Sequence, residues 1–184
     1  MKDRLSKEQW LDHGLKSLAR DGFTVLKADK LAKSLGVSRG SFYWHFKNLA
    51  DFHQAVLARW RDLTVNAVIE GLEQQPLAAP QKIKQLVIIA GQGDSALENA
   101  LRAWGTNSSQ VKKTIEAIDQ QRLGYLQSLF ETIGVDKATA FARARIIYYA
   151  YLGQIMLGEQ LAESQRNAVI DELVSVVIQK EDEK

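Results

Sequence analysis

The stretch LAKSLGVSRGSFYWHFKNLAD, from Leu31 to Asp51, decides how the chain is read. Asp29 to Leu35 predicts a short helix that stops at Gly36, and Ser38 is placed to cap another that runs to about His45. Two short helices joined by a tight glycine turn let the first cross a DNA backbone while the second enters the major groove. Ala32 is small where the two helices would pack closely, Gly36 permits the turn, and Val37 fills the space between them.

The helix that opens at Ser38 carries the chemistry. Its free N-terminal amides can meet phosphate oxygens, and Arg39, Gly40 and Ser41 stand where side chains reach base edges, with Gly40 allowing close backbone approach. Tyr43-Trp44-His45-Phe46-Lys47 is an aromatic and basic cluster. Phe42 and Phe46 share one helical face and are expected in the core. Tyr43, His45 and Lys47 are expected outside, where a phenol, an imidazole and an ammonium can donate to phosphates.

The G-V-S turn, the S-F-Y-W-H-F helix and the Lys47-Asn48 pair before a long helix resemble the DNA-binding signature of the TetR family. The resemblance covers the N-terminal quarter. It implies a homodimer whose paired heads bind a palindromic operator, repressing transcription until a small ligand enters the C-terminal domain. Where the family often has a threonine capping the second helix and touching phosphate, this chain reads Leu26-Lys27-Ala28-Asp29, so Lys27 is the expected replacement by charge.

Outward from this segment the chain reads as all-α, with about nine helices. Ser6 and Gln9 form a capping box for the first helix, whose stripe is Trp10, Leu11, Leu15 and Leu18 and whose stop is Gly22. From Leu49 a long helix follows, with Phe52, Val56, Trp60, Leu63 and Ala67 on one side. Pro76 and Pro80 flank a break. Further helices are expected over Ile83–Ala90, Ser95–Trp104, Ser109–Ile133, Lys137–Leu161 and Gln165–Gln179, punctuated by Gly91, Gly93, Gly105 and Gly134. The expected division is a helix-turn-helix domain over 1–48 and an effector-binding and dimerisation domain over 49–184.

Charge supports a nucleic-acid-facing head. Net charge is only +2, yet the first 47 residues hold ten Lys and Arg against five Asp and Glu, and the remainder fourteen against seventeen. With no cysteine, thiolate metal sites and a cysteine nucleophile are excluded. No phosphate loop, H-E-x-x-H or G-x-S-x-G occurs, so an enzyme is not expected, and no cofactor is implied. The three histidines lie apart: His13 and His53 read as solvated helix residues and His45 as part of the recognition segment, so no metal site is expected. The first six residues lack the apolar run of a signal peptide, and nothing approaches the roughly 18 apolar residues of a membrane span, which fits a cytoplasmic home.

The body offers two kinds of surface. Phe141, Ala144, Tyr148, Tyr151 and Ile155 recur at three and four residues, and Val169, Leu173 and Val176 do the same on the last helix. These stripes suit a four-helix interface between two copies, in agreement with the resemblance, although an internal core has the same periodicity. On the helix from Ser109, the stripe Val111, Ile115, Ile118, Arg122, Tyr125 and Leu129 is interrupted by a charge and a phenol. Arg122 either anchors an anionic ligand group or pairs with Glu98 or Asp119; Trp104, Tyr148 and Tyr149 line a cavity or fill the core, and the effector is expected against Trp104, Arg122, Tyr125 and Tyr148. Glu98 and Arg102, four apart, read as support for an exposed helix. A body regulated by a protein partner rather than a small molecule is the alternative.

Overall fold

In the computed structural model, residues 5–158 and 161–178 are described, and among them every regular element is helical. The readings of Met1 to Arg4, and of a last helix ending at Gln179, lie outside those residues. The helices are α1 (Lys7–Asp21), α2 (Ala28–Leu35), α3 (Arg39–His45), α4 (Leu49–Arg61, continued by a π-helical stretch Asp62–Asn66 and by Ala67–Glu73), α5 (Ala79–Gly91), α6 (Ser95–Thr106), α7 (Ser109–Thr132), α8 (Lys137–Leu157) and α9 (Glu163–Ile178). None of the described helices is long and apolar enough to cross a membrane.

The capping box at Ser6 and the stop at Gly36 form as expected. Ser6 Oγ accepts from the Gln9 amide at 3.2 Å while Gln9 Oε1 accepts from the Ser6 amide at 2.7 Å. Gly36 adopts the left-handed conformation (φ +66°), and its amide returns to carbonyls of α2 to end that helix. Asn48 and Asp136 cap α4 and α8. Gly105 does not punctuate: it lies buried inside α6, where a Cβ would come within 3.1 Å of Ile115 Cδ1, so its role is close packing.

Contacts group the described chain into two units, 5–64 with 96–117, and 65–95 with 118–178. This differs from a division at residue 48, because the first half of α4 buries Phe52, Val56, Leu57 and Trp60 and packs on α1. At Gly14 the two helices approach so closely that a Cβ would lie 2.9 Å from Phe52 Cζ. The centre of the first unit is aromatic: Phe42 stands 5.5 Å from Trp10, 5.1 Å from Phe46 and 5.1 Å from Phe52, centroid to centroid. Such pairs add about 0.5–1.5 kcal/mol each beyond burial. Leu26 is buried with them, while Phe23 and Val25 are only half-buried.

The second unit has its own core. Ala79, Ile83 and Val87 of α5 meet Leu126, Leu129 and Phe130 of α7, Ala140, Ala144 and Ile147 of α8, and Ile170 and Val177 of α9. Helix α8 ends at Leu157, four residues before the expected end at Leu161, with Gly158 after it again left-handed (φ +61°).

Candidate nucleic-acid interface

Helix α3 is divided as its spacing requires. Phe42 and Phe46 are fully buried, and between and beside them Ser38, Arg39, Gly40, Tyr43, Trp44 and Lys47 are exposed, Trp44 at 65%. Ser41 is half-buried. The buried phenylalanines fix the helix rotation, and therefore which residues face out. Ser38 occupies the N-cap position with extended backbone, but its side chain makes no cap bond, so the hydroxyl is not consumed by its own helix. An added Cβ at Gly40 would meet only Ser38 Oγ, at 3.7 Å, so the missing side chain leaves room outside the protein and relieves nothing inside it.

Two exposed side chains are linked. Arg39 Nη2 donates to Tyr43 Oη at 3.1 Å, and the guanidinium carbon lies 5.4 Å from the Tyr43 ring centroid. The Lys47 amide donates to Asp51 Oδ2 at 2.9 Å, and Asn48 Oδ1 accepts from the Asp51 amide, which ties the end of α3 to the start of α4 and leaves the Lys47 ammonium outside. Lys27 is the exposed N-cap residue of α2, without a side-chain cap bond.

Three histidine expectations need correction. His45 is half-buried, and its Nε2–H donates to the Leu5 carbonyl at 2.8 Å, so that donor is used inside the chain rather than turned outward. His53 is not a solvated residue: Nε2–H donates to the Leu26 carbonyl at 2.9 Å, and the ring meets Trp104 edge-on at 4.9 Å. Burial pushes its pKa below the usual imidazole value, partly opposed by the bond to Leu26. His13 Nε2 lies 2.6 Å from Ser34 Oγ; that hydroxyl gives its hydrogen to the Leu31 carbonyl, so His13 is the donor, joining α1 to α2. Burial, then Arg20 and Lys16, lower its pKa too. No local pattern in the sequence marks His53, because the Leu26 carbonyl and the Trp104 ring that hold it lie far along the chain.

The four expected ligand residues are not gathered in one unit. Trp104 belongs to the first, packed on His53; Arg122, Tyr125 and Tyr148 belong to the second. Tyr148 is 5% exposed and donates to Asp119 Oδ1 at 2.5 Å, and burial followed by that carboxylate pushes its pKa up to about 12. Tyr125 donates to Glu73 Oε1 at 2.6 Å, and the same carboxylate takes Lys82 Nζ at 2.7 Å. The Arg122 guanidinium sits 5.7 Å from the Tyr151 ring centroid. Tyr151 also lines an apolar groove of about 340 Å³ framed by α5, α8 and α9. Glu98 is buried, with Arg102 Nη2 on its Oε1 at 2.7 Å, so this pair is an internal one and not the support of an exposed helix.

The stripe expected at a subunit interface is also divided. Tyr148 and Ile155, 5% and 4% exposed in the single chain, face its own core and have no surface to present. Tyr151 and Leu173 are half-buried, and Phe141, Val169 and Val176 are exposed. Tyr149, expected in a cavity or in the core, is instead outside at 63% exposed, and the other outward apolar residues of α8 that spacing alone did not select are Ile146, Met156 (79%) and Leu157.

Residues 11–56 match the family described as bacterial regulatory proteins, tetR family. The fold as a whole is similar to a TetR transcriptional regulator from Legionella pneumophila (TM-score 0.76, 16% identity, 97% of this chain and 100% of that one). It is also similar to reduced NemR from E. coli (TM-score 0.75, 18% identity, 93% and 95%). A third similar structure is the regulator FadR from Bacillus subtilis in complex with stearoyl-CoA (TM-score 0.70, 16% identity, 94% and 98%).

Proposed function

We propose that this chain, which carries a TetR-family N-terminal domain on a fold shared with TetR-family regulators, represses transcription by binding a palindromic operator as a homodimer, and that a small ligand releases it. The observation that carries the reading is the outer face of α3. Arg39, Tyr43 and Trp44 stand exposed on a helix whose rotation is held by Phe42 and Phe46, Lys47 stands exposed just past its end, and Gly40 leaves the approach open. Lysine and phenol suit phosphate oxygens; arginine suits a base edge. Lys27, Ser38 and Ser41 flank that face and complete the contact set.

Dimerisation is supported by the exposed apolar residues of α8 and α9. Ile146, Tyr149, Met156, Val169 and Val176 form the kind of surface that a second copy covers, and two-fold pairing of two heads accounts for a palindromic site. Ligand control is supported by the second unit's grouping of Arg122 with Tyr148 and Asp119, with Tyr125 on the same helix as Arg122 and bonded to Glu73. Tyr151 joins that cation to an apolar groove, which suits a ligand with an anionic group and an apolar portion. Such a ligand releases DNA only if it binds unequally to two states; a coupling of about 1–3 kcal/mol changes operator affinity roughly 5- to 150-fold.

The test is selection of bound sequences from random duplex DNA by the purified protein, followed by footprinting. Enrichment of an inverted repeat protected on both halves is the expected outcome. Binding with no sequence enrichment would sink the reading. A thermal-shift survey of carboxylic acids and acyl-CoA thioesters, with operator affinity remeasured for each stabilising compound, addresses release.

A further inference from the structure

We propose that Tyr43 determines sequence specificity without touching a base, by holding the Arg39 guanidinium in one orientation. Arg39 and Tyr43 stand four residues apart on α3, on one face of the helix. They meet at two points, the Nη2–Oη bond of 3.1 Å at the rim of the phenol and the approach of 5.4 Å to its ring. The ring is itself held, because Phe42, which is fully buried, meets it edge-on at 5.2 Å and 80°. Orientation therefore passes from the core through Phe42 to Tyr43, and from Tyr43 to an arginine that is otherwise a flexible chain in solvent.

The hydrogen-bond inventory makes this arrangement useful. A guanidinium has five N–H groups and two edges that each present a pair of donors. One Nη2 hydrogen given to Tyr43 leaves one edge complete, which is what the O6 and N7 acceptors of a guanine require. The Tyr43 oxygen accepts from Arg39, so its own hydrogen is left to donate to a phosphate oxygen, and accepting from a cation strengthens it as a donor. A phenol that only bound phosphate would add affinity to every sequence equally. Coupled to Arg39, it aligns the arginine edge with the backbone register and narrows the choice of base.

The inference rests on the DNA-binding reading, and the experiment separates the two. Operators are first selected from random duplex DNA by the full-length protein, and affinity is measured for the selected sequence and for variants at each base pair. Arg39→Ala is expected to lose roughly 5- to 150-fold discrimination at one position of each half-site. Tyr43→Phe, which keeps the ring and its contacts with Phe42 but removes the hydroxyl, is expected to lower discrimination at that same position by roughly threefold or more, on top of a uniform loss of affinity. In the Arg39→Ala background the same change should leave discrimination unaltered, because there is no guanidinium left to orient. Arg39→Lys, which leaves Tyr43 intact and keeps the charge, should retain affinity for random DNA and lose discrimination. If Tyr43→Phe weakens all sequences alike with the ratios unchanged, or if its effect on discrimination persists without Arg39, Tyr43 is a phosphate contact alone and the inference is overturned. If selection enriches no sequence, the regulator reading falls first and this inference with it.

Discussion

The outer face of α3 and the outer faces of α8 and α9 are both rich in large side chains, yet they are chemically opposed. On α3 and just past its end the exposed large groups are Arg39, Tyr43, Trp44 and Lys47, each of which carries an N–H or O–H donor; on α8 and α9 they are Phe141, Ile146, Tyr149, Met156, Leu157, Val169 and Val176, of which Tyr149 alone carries one. A surface of donors is content in water and gains from a polyanion. A surface of alkyl groups gains only by leaving water, at about 25 cal/mol per Å². On the proposed reading the first face meets DNA and the second meets another copy of the chain.

The largest effect should come from removing what orients the first face. Phe42→Ala empties the aromatic centre of the head and is expected to cost about 3–5 kcal/mol, seen as an early transition in urea unfolding followed by tryptophan fluorescence, with operator binding lost. A stability change below about 1 kcal/mol would show that α3 is held by something other than this cluster.

Next in size is the apolar face. Ile146→Asp or Val176→Asp is expected to weaken self-association by about 2 kcal/mol or more, roughly 30-fold, while the fold is retained because both side chains are exposed in the single chain. Sedimentation velocity at micromolar concentration reads this directly. Unchanged dimers in both variants would move the interface elsewhere.

A smaller effect is expected from Lys47→Ala. Its ammonium should contribute one counterion's worth of salt dependence, so the slope of log affinity against log salt should drop by about 1, equally on operator and random DNA. A loss confined to one operator position would make Lys47 a base contact.

The smallest effect distinguishes the units by pH. Both histidines with lowered pKa, His13 and His53, lie in the first unit, and the second contains no histidine. A histidine whose folded pKa is lowered is less willing to take a proton when folded. Its stabilising share is therefore present above the ordinary value of 6.5 and is lost as pH falls through that value toward the lowered one. Melting of the head should decline as pH falls below 6.5, before most carboxylates titrate. The decline should shrink in His53→Gln, and a melting profile flat over this window would show that burial of these rings is not retained in solution.

Much of the head was legible in the sequence because its signals are local. The Ser6 and Gln9 capping box, the stops at Gly22 and Gly36, and the inward pair Phe42 and Phe46 each depend on residues within four positions of one another. The link between Arg39 and Tyr43 was not read from the sequence, which assigned the two side chains to separate contacts, although they stand four residues apart. The bond of His45 was not legible, since its acceptor is the carbonyl of Leu5, forty residues away.

The body was legible only as helices. Helix α8 is apolar on all sides, so a period of three or four selects Phe141, Tyr148 and Ile155 as readily as Ile146, Tyr149 and Met156. The difference lies in what other helices do: Ala79, Ile83 and Val87 of α5 and Ile170 and Val177 of α9 share one core with Ala140, Ala144 and Ile147, while Ile146 and Tyr149 remain outside. The placement of Trp104 against His53 is of the same kind. Sequence by itself determined that the chain is helical, where the head's helices are capped, and which face of an amphipathic helix is buried, because capping and local spacing act within a turn or two of the chain. Only the tertiary structure decided which face of an all-apolar helix is inside and which carboxylates, phenols and imidazoles are paired, because those outcomes depend on contacts between segments that the chain order does not place side by side.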